Sequence, residues 1–111
     1  MTAAQLAPVA ADTTSAAPRP YRAWTPAAEH YLLALVAEGH TAAQIARRLG
    51  TSLRAVAAQK ERIFRRIGAV NAPHAVAIAI RTRLIPATDR PTEAFALVGP
   101  EREVIVRWPR R

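Results

Sequence analysis

Residues 41–68 read TAAQIARRLGTSLRAVAAQKERIFRRIG, and their spacing decides the fold. Thr41 has the hydroxyl that favours a helix N-cap. Ile45 and Leu49 lie four apart, so they share one helical face, with the small Ala46 beside them. Gly50 follows at once and tolerates the left-handed backbone that ends a helix. Ser52 can cap the next helix, along which Val56, Ile63 and Ile67 recur at helical spacing. Two short helices joined by a glycine turn are the sequence form of a helix-turn-helix.

On a helical wheel of residues 52–67, Val56, Ile63 and Ile67 define the core arc, with Leu53 and Phe64 on its flank. The opposite arc carries Arg54, Ala58, Glu61, Arg62 and Arg65, with Ala57 at its border. Lys60 lies near the core arc, where its stem can cover apolar surface while the amine reaches water. A face of guanidinium groups and small residues suits a major groove. Small residues permit close approach, and arginines meet guanine edges or phosphates. The plainer alternative is a solvated basic face. The preceding helix and the turn glycine favour a DNA reader. Thr41 and Ser52, at the starts of the two helices, are counted with Arg54, Ala57, Ala58, Glu61, Arg62 and Arg65 as the expected DNA-contacting set.

Outward from this pair, residues 24–85 resemble the LuxR/GerE-type DNA-binding domain of bacterial transcription regulators. The likeness rests on Glu29, Leu35-Val36-Ala37-Glu38-Gly39 and Ile45-Ala46-Arg47-Arg48-Leu49-Gly50. Val56, Ile63, Arg65, Gly68 and Asn71 continue it, then Ala75-Val76-Ala77 and Leu84-Ile85. The resemblance implies four helices, the third entering the major groove and the fourth contacting a second protomer. Three departures stand out. The family's Leu-Thr-x-x-Glu opening is stretched here, since Thr25 lies one residue too far from Glu29. Ala57 and Ala58 replace a basic or polar pair. Gln59 stands where His is common. Relatives' base preferences therefore do not transfer, while Arg54 matches a usual basic position suited to phosphate.

Composition agrees. The 111 residues suffice for one small domain with tails. The formal charge of +8 favours a polyanionic partner. Residues 21–85 hold ten basic side chains against three acids, nearly the whole surplus. Fifteen of the 16 basic residues are Arg, and alanine is abundant, a compositional bias that lowers the weight of any single Arg. Cysteine is absent, which removes disulfides and thiolate metal sites and suits a reducing cytoplasm. No apolar run approaches the roughly 20 residues of a membrane span, and the N-terminus lacks a secretory signal.

Residues 1–20 are rich in Ala, Pro, Thr and Ser and are expected to be a disordered tail. Arg19 and Arg22 suit either a short arm along DNA or a plain tether. Order is expected from Tyr21 and Trp24. Thr25-Pro26 predicts a first helix over residues 26–38, with Leu32, Leu33, Leu35 and Val36 buried and Gly39 ending it. A fourth helix is expected over residues 73–82, with Ala75, Val76, Ala79 and Ile80 on one side. That stripe fits ordinary core or a dimer contact, and the family resemblance favours the dimer.

Residues 86–111 form an extension. Phe95-Ala96-Leu97-Val98 and Val104-Ile105-Val106-Arg107-Trp108 flank Gly99-Pro100, the pattern of a β-hairpin. A lone hairpin is marginal in water, so it must pack on the helices, pair with another protomer or hold a partner. Trp108 is its natural anchor. The tail Arg107-Trp108-Pro109-Arg110-Arg111 offers phosphate contact as the alternative.

Catalysis finds little support. His30, His40 and His74 fall in separate elements without ligand spacing, so no metal or cofactor is expected. Glu29 is expected to be structural and Glu38 exposed at a helix end. The fold expected is mainly α: a four-helix helix-turn-helix domain over residues 21–85, a disordered tail and a C-terminal hairpin. The function expected is a stand-alone, sequence-specific regulator that binds double-stranded DNA as a homodimer in the cytoplasm, at the nucleoid. Two alternatives remain. One is a protein-interaction module docking on RNA polymerase, a sigma factor or another regulator. The other is an accessory role in plasmid or phage replication or transfer.

Overall fold

The computed structural model describes residues 24–108. The expected disorder of residues 1–20, the arginines at 19 and 22, the start at Tyr21 and the final residues 109–111 lie outside them. Four helices come first: α1 (Pro26–Ala37), α2 (Ala42–Leu49), α3 (Leu53–Ile67) and α4 (Ala72–Arg81). A short 3-10 turn, Pro91–Ala94, leads into β1 (Phe95–Val98) and β2 (Glu103–Val106), which pair antiparallel.

Local chemistry sets each boundary. Thr25 Oγ1 accepts from the Ala28 amide, with Pro26 in the first turn, so α1 starts as expected. It ends at Ala37, one residue earlier than the sequence pattern suggests, with Glu38 as C-cap. Thr41 and Gln44 form a reciprocal capping box: Gln44 N donates to Thr41 Oγ1 and Thr41 N to Gln44 Oε1. Gly50 closes α2 at φ 70°, left-handed backbone that a β-branched residue resists. Ser52 Oγ accepts from Ala55 N and opens α3; Asn71 Oδ1 accepts from His74 N and opens α4.

α1 is the hub. Ala28, Tyr31, Leu32, Leu33, Ala34 and Leu35 are all buried, so its apolar side chains extend round most of the helix. Such a helix needs cover on several sides. α4 takes one side, and β2 with the 3-10 turn takes another. α3 packs between α2 and α4. Ile45, Leu49, Val56 and Ile63 join the same core.

The hairpin does not stand alone. Phe95 pairs with Val106 and Leu97 with Val104, and these four side chains pack on the helices. Phe95 lies 5.6 Å from the Tyr31 ring, centroid to centroid. Trp108 packs on the same core just beyond β2, which is shorter than the sequence run indicates. Ala96, Val98, Glu103 and Ile105 alternate outward. The hairpin's turn reaches the α2–α3 connection, where a methyl group on Gly50 would lie 3.5 Å from Arg102 Cδ.

Three expectations need correction. Ala75 and Ala79 are 0% exposed, packed into the core where α4 meets its neighbours, so neither side chain can touch a second protomer. The buried side of α4 runs through Ala75, Ile78 and Ala79, which leaves Val76 half-buried and Ile80 exposed. Glu38 is not a free helix-end carboxylate. Its Oε2 accepts from both the amide and the hydroxyl of Thr92, at 2.9 and 2.7 Å, tying the extension to α1. Leu53, expected on the flank of the core, is 55% exposed.

Candidate nucleic-acid interface

α3 presents its outer side from end to end. Arg54, Ala57, Ala58, Glu61, Arg62 and Arg65 are all exposed, and Leu53 stands at the N-terminal end of the same surface. The inner side is Val56, Gln59 and Ile63, all buried, with Ile67 partly covered. Lys60 is half-buried, as its place beside the core arc suggests. The division follows from helical periodicity: residues four apart share a face, so Arg54-Ala58-Arg62 and Ala57-Glu61-Arg65 form two adjacent rows.

The caps at the two helix starts are occupied but not buried. Thr41 and Ser52 are exposed, and each hydroxyl oxygen accepts a backbone amide. Each hydroxyl proton stays available to an external acceptor. Arg47 and Arg48 of α2 are exposed as well, and Arg48 Nε donates to Tyr31 Oη at 3.1 Å.

A polar network anchors the C-terminal half of α3. Gln59 is 3% exposed, and its Nε2 donates to Glu29 Oε2 at 2.9 Å. Arg66 pairs with Glu29 Oε1, and Arg62 Nη1 donates to Gln59 Oε1 at 3.0 Å. The carboxylate of α1 thus accepts from two side chains of α3, one of which fixes the orientation of Arg62. Because its amide is ordered by Glu29 on one side, Gln59 turns its oxygen to the guanidinium. The chain's stretched N-terminal motif fits here: Thr25 caps α1 without Glu29, whose carboxylate is free to bond α3. Sequence reading placed Glu29 as structural but missed its partners. Gln59, Arg62 and Arg66 fall at helical spacing, which could have grouped them, whereas the partner 30 residues earlier leaves no local signal.

Arg65 and Glu61 are a separate pair, 3.5 Å apart and both largely exposed. Two histidines have fold partners: His74 Nδ1 accepts from Val70 N, and His40 lies 3.9 Å from Glu38. Among the described residues no group of three or more His, Cys, Asp or Glu is placed to hold a metal ion. No helix among them is long and apolar enough to cross a membrane.

A capped helix, a glycine turn and a second helix with a basic, small-residue outer face define a helix-turn-helix domain of the DNA-binding class. Residues 28–79 match the GerE family, bacterial regulatory proteins of the luxR family, and this chain carries a domain of that family. The match spans α1 to α4 up to Ala79, so it includes both helices of the reading unit and Glu29. The family is one of DNA-binding regulatory domains rather than of enzymes. No curated protein and no solved structure is significantly similar to the chain.

Proposed function

We propose that the chain is a sequence-specific transcriptional regulator that lays α3 in the major groove of double-stranded DNA and acts there as a two-fold dimer. The observation that carries this reading is the outer face of α3, where Arg54, Arg62 and Arg65 surround Ala57 and Ala58 on a luxR-type scaffold. Guanidinium groups supply phosphate and guanine contacts, and the alanines let the helix axis come close to the base edges. Thr41 and Ser52 add hydroxyl donors at the two helix starts. Cytoplasmic, nucleoid-associated residence follows from the same partner.

One recognition helix covers few base pairs, so a monomer would discriminate poorly. Two-fold pairing would read an inverted repeat with half-sites about one helical turn apart. Val76 and Ile80, four apart on α4 and not fully covered, support this helix as the contact, with the exposed Ala77 alongside. Selection from a random DNA library, followed by sedimentation of the protein with its best site, tests both parts. Enrichment of an inverted repeat bound by two protomers is expected. Uniform retention of all sequences overturns the regulator, and one protomer per best site overturns the dimer.

A further inference from the structure

We infer that Glu61 and Arg65 act together as a reader of one C·G base pair, an inference that rests on α3 entering the major groove. Glu61 is the lone acid of α3, and it stands on the outer face among Arg54, Ala57, Ala58 and Arg65. The other two acids of the helical domain are engaged: Glu29 with Gln59 and Arg66, and Glu38 with Thr92. Among the described residues Glu61 pairs with Arg65, at 3.5 Å, and the two side chains are 74% and 70% exposed. An exposed pair one helical turn apart contributes little to stability, so the fold does not require it.

A carboxylate on a surface that meets DNA is repelled by phosphates. It is accommodated where it reaches an amino group on the floor of the groove. The major groove offers two, cytosine N4 and adenine N6. The neighbour decides between them. Arg65 needs acceptors, and guanine presents two side by side, O6 and N7. A C·G pair therefore shows a donor and a double acceptor on one edge, complementary to the acceptor and donors that Glu61 and Arg65 hold together. An A·T pair presents its two acceptors, adenine N7 and thymine O4, on opposite sides of the N6 amino group, and a guanidinium cannot take both. Ala57, one turn before Glu61, and Ala58 beside it leave room for the backbone to approach, which the short carboxylate side chain needs.

The test is binding-site selection from random DNA with the full chain and with Glu61→Ala, each checked for an unchanged thermal melt. The wild type should fix one C·G position in each half-site. The variant should lose about tenfold or more of its discrimination at that position alone, the scale of one good base contact. It should also bind non-specific DNA more tightly, because a repelled charge is gone. Replacing that cytosine by 2-pyrimidinone, which lacks only the amino group, should weaken the wild type and leave Glu61→Ala unaffected. A variant that selects the wild-type motif with equal discrimination overturns the inference, as does an affected position that is A·T. A wild type that enriches no motif instead overturns the DNA-reading function on which the inference stands.

Discussion

Gln59→Met removes a polar hub while nearly preserving volume. The wild-type amide lies 3% exposed between Glu29 and Arg62, at 2.9 and 3.0 Å. Methionine fills the same space but donates nothing to the Glu29 carboxylate and accepts nothing from Arg62. Arg66 still holds one oxygen of Glu29, so the carboxylate is not stripped of partners. What is lost is one charge-assisted bond at a partly buried acceptor and one at an exposed guanidinium. A partly buried group left short of a partner costs about 1–3 kcal/mol. In a domain of this size that lowers the melting temperature by roughly 5–20 °C. Urea unfolding followed by circular dichroism measures it directly, with the midpoint shifted and the slope unchanged. A double-mutant cycle with Arg62→Met should return a non-zero coupling, since the two side chains share a bond. A loss below about 0.5 kcal/mol, the level of an ordinary surface substitution, would refute the view that this network anchors α3.

Three further outcomes are expected. Ala79→Arg forces a long charged side chain into a site with no exposure and should cost about 3 kcal/mol or more, read as loss of the cooperative melt, whereas Ile80→Arg should leave folding intact and separate a dimer in sedimentation. Ala58→Glu should change stability by no more than about 0.5 kcal/mol while removing DNA binding in an anisotropy titration at physiological salt, because a new carboxylate meets phosphate repulsion; retained binding would move the interface off this face. Truncation after Ile85 strips Phe95 and Val104 from the α1 surface, and at about 1.5–3 kcal/mol for each large apolar side chain the helical domain alone should lose roughly 3–6 kcal/mol in a denaturant titration.

The helix-turn-helix was legible because its signals are local. Thr41, Gly50 and Ser52 each act within four residues, and the Val56/Ile63 spacing fixes which side of α3 turns inward. The strands were legible for the same reason, two β-prone runs on either side of a Gly-Pro turn. α4 was misread at its face. Its sequence, APHAVAIAIR, is apolar nearly all round, so the wheel alone does not choose between an arc centred on Ala75 and Ala79 and one shifted toward Ile80. The choice is made by packing against α1 and α3, which the sequence does not display. Glu38 was misread because its partner, Thr92, lies 54 residues away. Its own neighbourhood, beside Gly39 and a loop, resembles any solvated helix end.

The long-range bonds that escaped sequence reading bear on function. α3 carries the expected DNA contacts, yet its rigidity is supplied from outside itself. Near its start, Arg102 of the hairpin's turn closes on the Gly50 turn, and its C-terminal half is pinned to α1 through Gln59 and Arg66. The hairpin in turn is held to α1 by Phe95, Val104 and the Glu38–Thr92 bonds. A reading helix held at both ends has less freedom to lose when it meets DNA, so more of its contact energy survives as affinity. By bracing α3 in this way, the described part of the extension beyond the matched region would favour recognition. Removing it should weaken DNA binding through the disorder introduced at the Gly50 turn, even at temperatures where the helices remain folded.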